Sequence, residues 1–414
     1  MAEDRRGRRG ARIALLAGVA ALAAGAGLVF GPTAFRALQA LRHHGVERAR
    51  LELLRFEPPW QGPLVAYPRA TPEEVGFDAA KLDAWARELA SRGTTQLLVV
   101  RGGKLAYEWI GPGQRVNDLV HASAITKGSA GAPALGVVAD MGLVDVDDPA
   151  WKYIPAWKDD PLRSRISLRM LANHTSGMQN IVYGGDGAGL SGWEKVFSDD
   201  HAQRFPLTLA RAEVRFTPGT RVAYTSLAYY ALSYALTEAL RGSDTPDLHA
   251  LLARRVYGPL EIPSDAWEIS YGRHDEQDGL RLYTLASGAR YTPRALARIA
   301  ELFLGGGSWR GHRILAADTV ETLLSDAGVP ERRSPDEPVP ALGWWLNRDG
   351  FFPSLPRDAV LTAGAKHSVV AFVPSLDLVV VRFGRALHRR GEGEGYWDGI
   401  DAWVFAPLLE AALP

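Results

Sequence analysis

The sequence predicts an α+β fold: an antiparallel sheet flanked by helices and built from both chain ends, with a mainly helical part inserted between them. Three observations lead there. Near the front, "TQLLVVRGGKLAYEWIG" reads as a hairpin, two β-rich runs around Gly102-Gly103. Near the end, "HSVVAFVPSLDLVVVRFG" reads as two strands around a Pro-Ser-Leu-Asp turn. Between them, from about 123 to 325, the chain reads as mainly helical with long loops punctuated by Gly and Pro.

In chain order, residues 1–34 come first: a basic tail and an apolar segment. "MAEDRRGRRGAR" carries five arginines, and Ile13 to Phe30 follow without a charge. About 20 apolar residues span a bilayer as a helix, so this run of 18 is at the short end. Arginines stay cytoplasmic, which places everything after Phe30 outside as a membrane-anchored, extracytoplasmic body, periplasmic or on the cell surface. The rival is a signal peptide cleaved near Ala34, giving a secreted product. Residues 35–70 read as a juxtamembrane helix and a Pro-containing linker.

The folded body is expected over 71–414. Thr71 can cap its first turn, Pro72 suits that turn, and apolar positions recur at helical spacing from Leu82 to Leu89. The sheet layer is expected over about 71–120 and 326–414, the helical part over about 121–325, and a closing helix from about Tyr396 to Leu413. "RHDEQDGLR" near 273 reads as a solvated loop.

Composition excludes several classes of function. With 47 basic and 47 acidic residues, the formal net charge is zero, so the basic footprint of a nucleic-acid binder is missing. Without cysteine there are no disulfides, no thiolate chemistry and no Cys-ligated zinc. The ten histidines show no metal-binding spacing, so neither metal nor cofactor is expected.

Three stretches can carry chemistry. In "HASAITKG" (121–128), Lys127 opens a helix rich in Gly and Ala and holding one Pro, poor by propensity and stable only if tightly buried. A desolvated lysine there can accept a proton from a hydroxyl one turn away, although a lysine emerging into solvent explains the stretch as well. In "FTPGTRVAYTS", Tyr224 and Ser226 precede a long apolar helix and can present a phenol and a hydroxyl to a cleft. The plain alternative makes Tyr224 one core aromatic among thirteen tyrosines and Ser226 a cap. In "LTAGAKHSVV", Gly364 is expected to head a strand and admit a ligand closely, with N–H groups just after it available for an oxyanion hole.

Taken in order, these stretches resemble the β-lactamase-related serine hydrolases, the broad family of class C β-lactamases, DD-peptidases and related esterases. The resemblance runs from about Thr71 to Pro414. It includes "MGLVDVDDPAWKYIPAW" and "ISLRMLANHTSGM", the latter with His174, Thr175, Ser176 and Gly177. "LEIPSDAWEISYG", "RYTPRALARIAELFLGGGSWRG" and "LGWWLN" extend it. Many ordered matches are specific where one Ser-x-x-Lys would not be.

The resemblance implies a β-lactamase/penicillin-binding-protein-like fold and hydrolysis of a small-molecule ester or amide through an acyl-enzyme. Lys127 matches the motif lysine and Tyr224 the catalytic tyrosine, and the two are expected within hydrogen-bond reach, or one water apart, beside Ala124. Ser226 ends the second motif. Gly364-Ala365-Lys366 falls at the third, and an N–H near His367 is expected to join that of residue 124 at the oxyanion.

Two departures stand out. Lys366 occupies a position that often holds Gly and is expected to crowd or charge the pocket. More seriously, the nucleophile's position is Ala124. Ser123 is one residue off, about 100° around a helix, and is expected to act as an N-cap instead. Ser129 is on the wrong face, and His174 reads as structural. Two origins of Ala124 remain open: an introduced change that traps a ligand, or a natural non-catalytic relative that binds a cell-wall fragment or a protein partner.

Overall fold

A computed structural model describes residues 64–181, 190–329, 337–387 and 395–413. The expected membrane segment 13–30 and all but the last residues of the 35–70 linker lie outside them. Among the described residues no helix is long and apolar enough to cross a membrane.

A seven-stranded antiparallel sheet organises the body. In chain order its strands are β1 (Thr94–Arg101), β2 (Lys104–Ile110), β3 (Val339–Pro340), β4 (Trp345–Leu346), β5 (Val360–Gly364), β6 (Ser368–Val373) and β7 (Leu378–Gly384). Their spatial order is β3-β4-β5-β6-β7-β1-β2, so β7 from the chain's end pairs with β1 from its front. Both expected hairpins form, with Gly102 and Gly103 at positive φ in the first and Pro374–Leu376 turning the second.

The central strands carry apolar residues on both faces because both faces are covered, with Arg382 of β7 a buried exception. On β1, Leu98 and Val100 join one core while Leu97 and Val99 join another. Val370 and Phe372 of β6 alternate in the same way with Val369, Ala371 and Val373.

One face is closed by α1 (Ala79–Ser91), through Leu82, Trp85, Ala86 and Leu89, together with the C-terminal helices. Asp78, rather than Thr71, caps α1; Thr71 caps only the short turn before it. The other face carries the helical part, including α2 (Ala132–Asp140), α3 (Leu227–Ala239) and α4 (Pro293–Leu304), with α4 lying on β6, β7 and β1. The closing helix is interrupted: α5 (Tyr396–Ile400) passes through a π-helical turn at Asp401–Phe405 into α6 (Ala406–Glu410).

Candidate active site

The site lies where the helical part meets the end of β5. A short strand, Val120–His121, leads into a 3₁₀ turn at Ser123–Ile125, a π-helical turn at Lys127–Gly131 and then α2. Ser123 sits at φ 48 with no capping bond from its side chain, so it is not the expected N-cap; its carbonyl instead accepts from the Thr126 hydroxyl at 2.6 Å. A left-handed non-glycine residue costs about 1–2 kcal/mol, and such strain is held only where neighbours fix it.

Small residues make this helix entry feasible. A Cβ on Gly128 would stand 2.9 Å from Thr362, one on Gly131 3.0 Å from the Tyr229 ring, and one on Gly343 2.5 Å from the Lys127 carbonyl oxygen. Tight burial therefore outweighs poor helix propensity. Ser129 turns its hydroxyl back to the Ile125 carbonyl at 2.9 Å, away from any reacting role.

Lys127 is 3 % exposed. Its Nζ donates to the Ala286 carbonyl at 2.6 Å and reaches Ser226 Oγ at 3.4 Å. It also stands 5.0 Å from the centre of the Tyr224 ring and 5.1 Å from that of Tyr229, so two aromatic faces help hold the ammonium. Lys127 and Tyr224 are thus brought together through the tyrosine ring rather than a direct hydrogen bond, with Ala286 and Ser226 as the ammonium's acceptors.

Tyr224 and Ser226 are fixed by the chain that enters α3. The Ser226 N–H donates to Asn180 Oδ1 at 3.0 Å, and the Thr225 hydroxyl donates to the Gln179 carbonyl at 2.8 Å. Beneath them His174, at φ 64, accepts the Thr225 N–H on Nδ1 at 3.4 Å and packs its ring 4.5 Å from that of Tyr224. Burial, helped by the nearby Lys127 charge, pushes the His174 pKa down to about 3. This neutral, enclosed imidazole packs against Tyr224.

Gly364 ends β5 rather than heading a strand. A Cβ there would lie 2.6 Å from the Ala122 carbonyl oxygen and 3.3 Å from the Ala124 nitrogen, so only glycine lets β5 reach the Ala124 backbone. The turn that follows, Ala365–His367, places Lys366 at φ 65 and His367 at φ 56. Lys366 occupies a backbone shape that favours glycine, but its side chain is exposed rather than folded under the turn. His367 is buried, stacks 4.7 Å from the Tyr396 ring and accepts the Leu387 N–H on Nδ1 at 3.0 Å.

Several residues here were not singled out by the sequence. Tyr396 donates its hydroxyl to the Gly364 carbonyl at 2.7 Å, and burial pushes its pKa up. Trp397 touches both Tyr396 and Trp345, whose ring stacks on His174 at 5.8 Å. These rings form a belt from Tyr224 to His367 contributed by five separate segments, and no spacing in the sequence links them. Asn180 was likewise invisible, being an ordinary polar residue just past the "HTSG" turn.

Chemically, the arrangement presents a buried ammonium, a phenol above it, a hydroxyl at Ser226 and backbone from two segments abutting at residue 124. It can hold and polarise a carbonyl group and move protons beside it. At the position one turn before Lys127 there is a methyl group.

Comparison with known proteins bears on the family and the fold. The model of the family described as β-lactamase matches residues 82–400. A Salmonella paratyphi B protein provisionally named a D-alanyl-D-alanine carboxypeptidase is 22 % identical over 345 residues, covering 68 % of this chain and 77 % of that protein. Among solved structures, a provisionally named β-lactamase from Bacteroides dorei superposes with a TM-score of 0.64 at 17 % identity, covering 81 % of this chain and 99 % of that one. A penicillin-binding protein homologue from Caulobacter crescentus gives 0.59 at 13 % identity, covering 80 % and 99 %.

Proposed function

This chain belongs to the β-lactamase family, and from that premise we propose that it keeps an assembled ester- or amide-binding acyl-transfer site from which only the nucleophile is missing. One observation carries this reading: Lys127, buried and without a carboxylate partner among the described residues, is held between Ser226, the Ala286 carbonyl and two tyrosine rings, one turn after Ala124. Burying an ammonium is costly, and a proton-transfer role beside residue 124 gives it a purpose.

With serine at 124, Lys127 and Tyr224 would handle the protons, and the residue 124 N–H with one from the 365–367 turn would hold the oxyanion. With alanine, turnover falls by on the order of 10⁶, the loss seen when a serine protease loses its nucleophile. The protein then binds a small ester, amide or cell-wall fragment without cleaving it. We place this body outside the cytoplasm, tethered by residues 13–30.

Ala124→Ser tests the reading. The variant is expected to hydrolyse a chromogenic short-chain ester and to be labelled at residue 124 by a serine-reactive phosphonate, while the present chain does neither and Ser123→Ala changes nothing. Hydrolysis by the present chain that disappears in Ser123→Ala would move the nucleophile by one residue. A well-folded but unreactive Ala124→Ser would mean the pocket serves binding alone, with Lys366→Gly in that background asking whether the third motif is responsible.

A further inference from the structure

Arg382, in the middle of β7, is fully buried. It has no carboxylate partner among the described residues and donates only to neutral acceptors: Thr94 Oγ1 at 2.9 Å, the Lys366 carbonyl at 2.7 Å, the His367 carbonyl at 3.0 Å and the Arg385 carbonyl at 2.7 Å. Burial lowers its pKa to about 10, the mark of a charge kept in the interior at a cost. An apolar side chain of similar size would fill this space without that cost. What the guanidinium supplies instead is a fixed fork of donors.

Two of those donors close on the turn after β5, where Lys366 and His367 both hold left-handed φ without being glycine. Such a turn persists only when its surroundings determine it. The carbonyls of this segment are accounted for: Gly364 accepts from the Tyr396 hydroxyl, Ala365 from the Ser368 N–H, and Lys366 and His367 from Arg382. These bonds fix the carbonyls of a segment that begins where Gly364 meets the Ala124 backbone.

We propose that Arg382 is a positioning residue for the oxyanion site: by holding the Lys366 and His367 carbonyls behind the turn, it aims the turn's N–H groups at a carbonyl oxygen bound next to residue 124. This rests on the acyl-transfer reading above and adds a residue that never touches substrate. Its sequence signal is absent, since an arginine inside "LVVVRFG" is indistinguishable from a charge at a strand's end.

The test uses the full chain in two backgrounds. In Ala124→Ser, Arg382→Met and Arg382→Lys are compared for short-chain ester hydrolysis. An oxyanion donor contributes on the order of 10²–10³ in kcat, so Arg382→Met is expected to lower kcat about 100-fold with KM held within about threefold. Arg382→Lys, a point charge without the fork, is expected to recover only part of that. Equal kcat in folded Arg382→Lys and parent, or a loss wholly in KM, overturns the proposal.

In the unmodified Ala124 chain, amide hydrogen exchange of Ser368, whose N–H closes the turn onto the Ala365 carbonyl, is followed in Arg382→Lys, which keeps charge and bulk should Arg382→Met fail to fold. Exchange there is expected to rise at least tenfold while α3 stays protected; unchanged exchange overturns the proposal. An inert Ala124→Ser with loosened exchange in Arg382→Lys would count against the acyl-transfer reading alone, leaving the clamp in place.

Discussion

The buried imidazole of His174 makes the protein's stability depend on pH in a range where few other groups act. In the folded chain its pKa is pushed from 6.5 down to about 3, by burial first and by the Lys127 charge second. The unfolded chain takes up a proton near 6.5; the folded one does not, so stability is complete above that value and is lost as pH falls through 6.5 towards 3. Each unit is worth about 1.4 kcal/mol, so lowering the pH from 7.5 to 5.0 should remove about 2 kcal/mol through this residue. His174 is faced by the Lys127 ammonium, the Tyr224 and Tyr229 phenols and the Trp345 ring. The lowered carboxylates Asp147, Asp148 and Asp160 act only below their ordinary value of 3.8. His249, also lowered, contributes with the same sign, and raised Glu301 with the opposite one.

His174→Gln removes the titration while keeping a polar group near the Thr225 N–H. Urea unfolding at pH 7.5 and 5.0 is the assay, with the parent expected to lose about 2 kcal/mol more than the variant across the interval. The difference between the two proteins cancels every other titrating group. Equal losses would show that His174 protonates in the folded state, and its assignment as a neutral support for Tyr224 would fall.

Two further outcomes follow from the same physics. Gly343→Ala should destabilise by about 3 kcal/mol, since its φ is +92 and the new methyl would meet the Lys127 carbonyl at 2.5 Å; a thermal melt within a degree of the parent would refute that contact. Fractionation of cells expressing the intact gene should recover the protein with membranes, its body outside the cytoplasm. Recovery as a soluble cytoplasmic protein would refute the export reading, and a soluble extracytoplasmic product starting near residue 35 would favour cleavage.

What the sequence determined by itself was whatever rests on local pattern. Alternating and continuous apolar runs specify both hairpins, because a strand's side chains change face at every residue. The helix at Leu82–Leu89 follows from its periodicity, and the ordered motifs specify the family fold together with Lys127 and Tyr224 as the residues to examine. Tertiary structure decided the rest, because it depends on which distant backbones meet. Ser123 was expected to cap a helix, but the need to pass between Gly364 and the Lys127 turn drives it into a left-handed shape instead. Lys127 meets Tyr224 through its ring, while its hydrogen bond goes to Ala286, 159 residues further along the chain. Tyr396 from α5 and Arg382 from β7 bond carbonyls of the same short segment, and hydrogen bonds from side chains to distant carbonyls leave no period in a sequence.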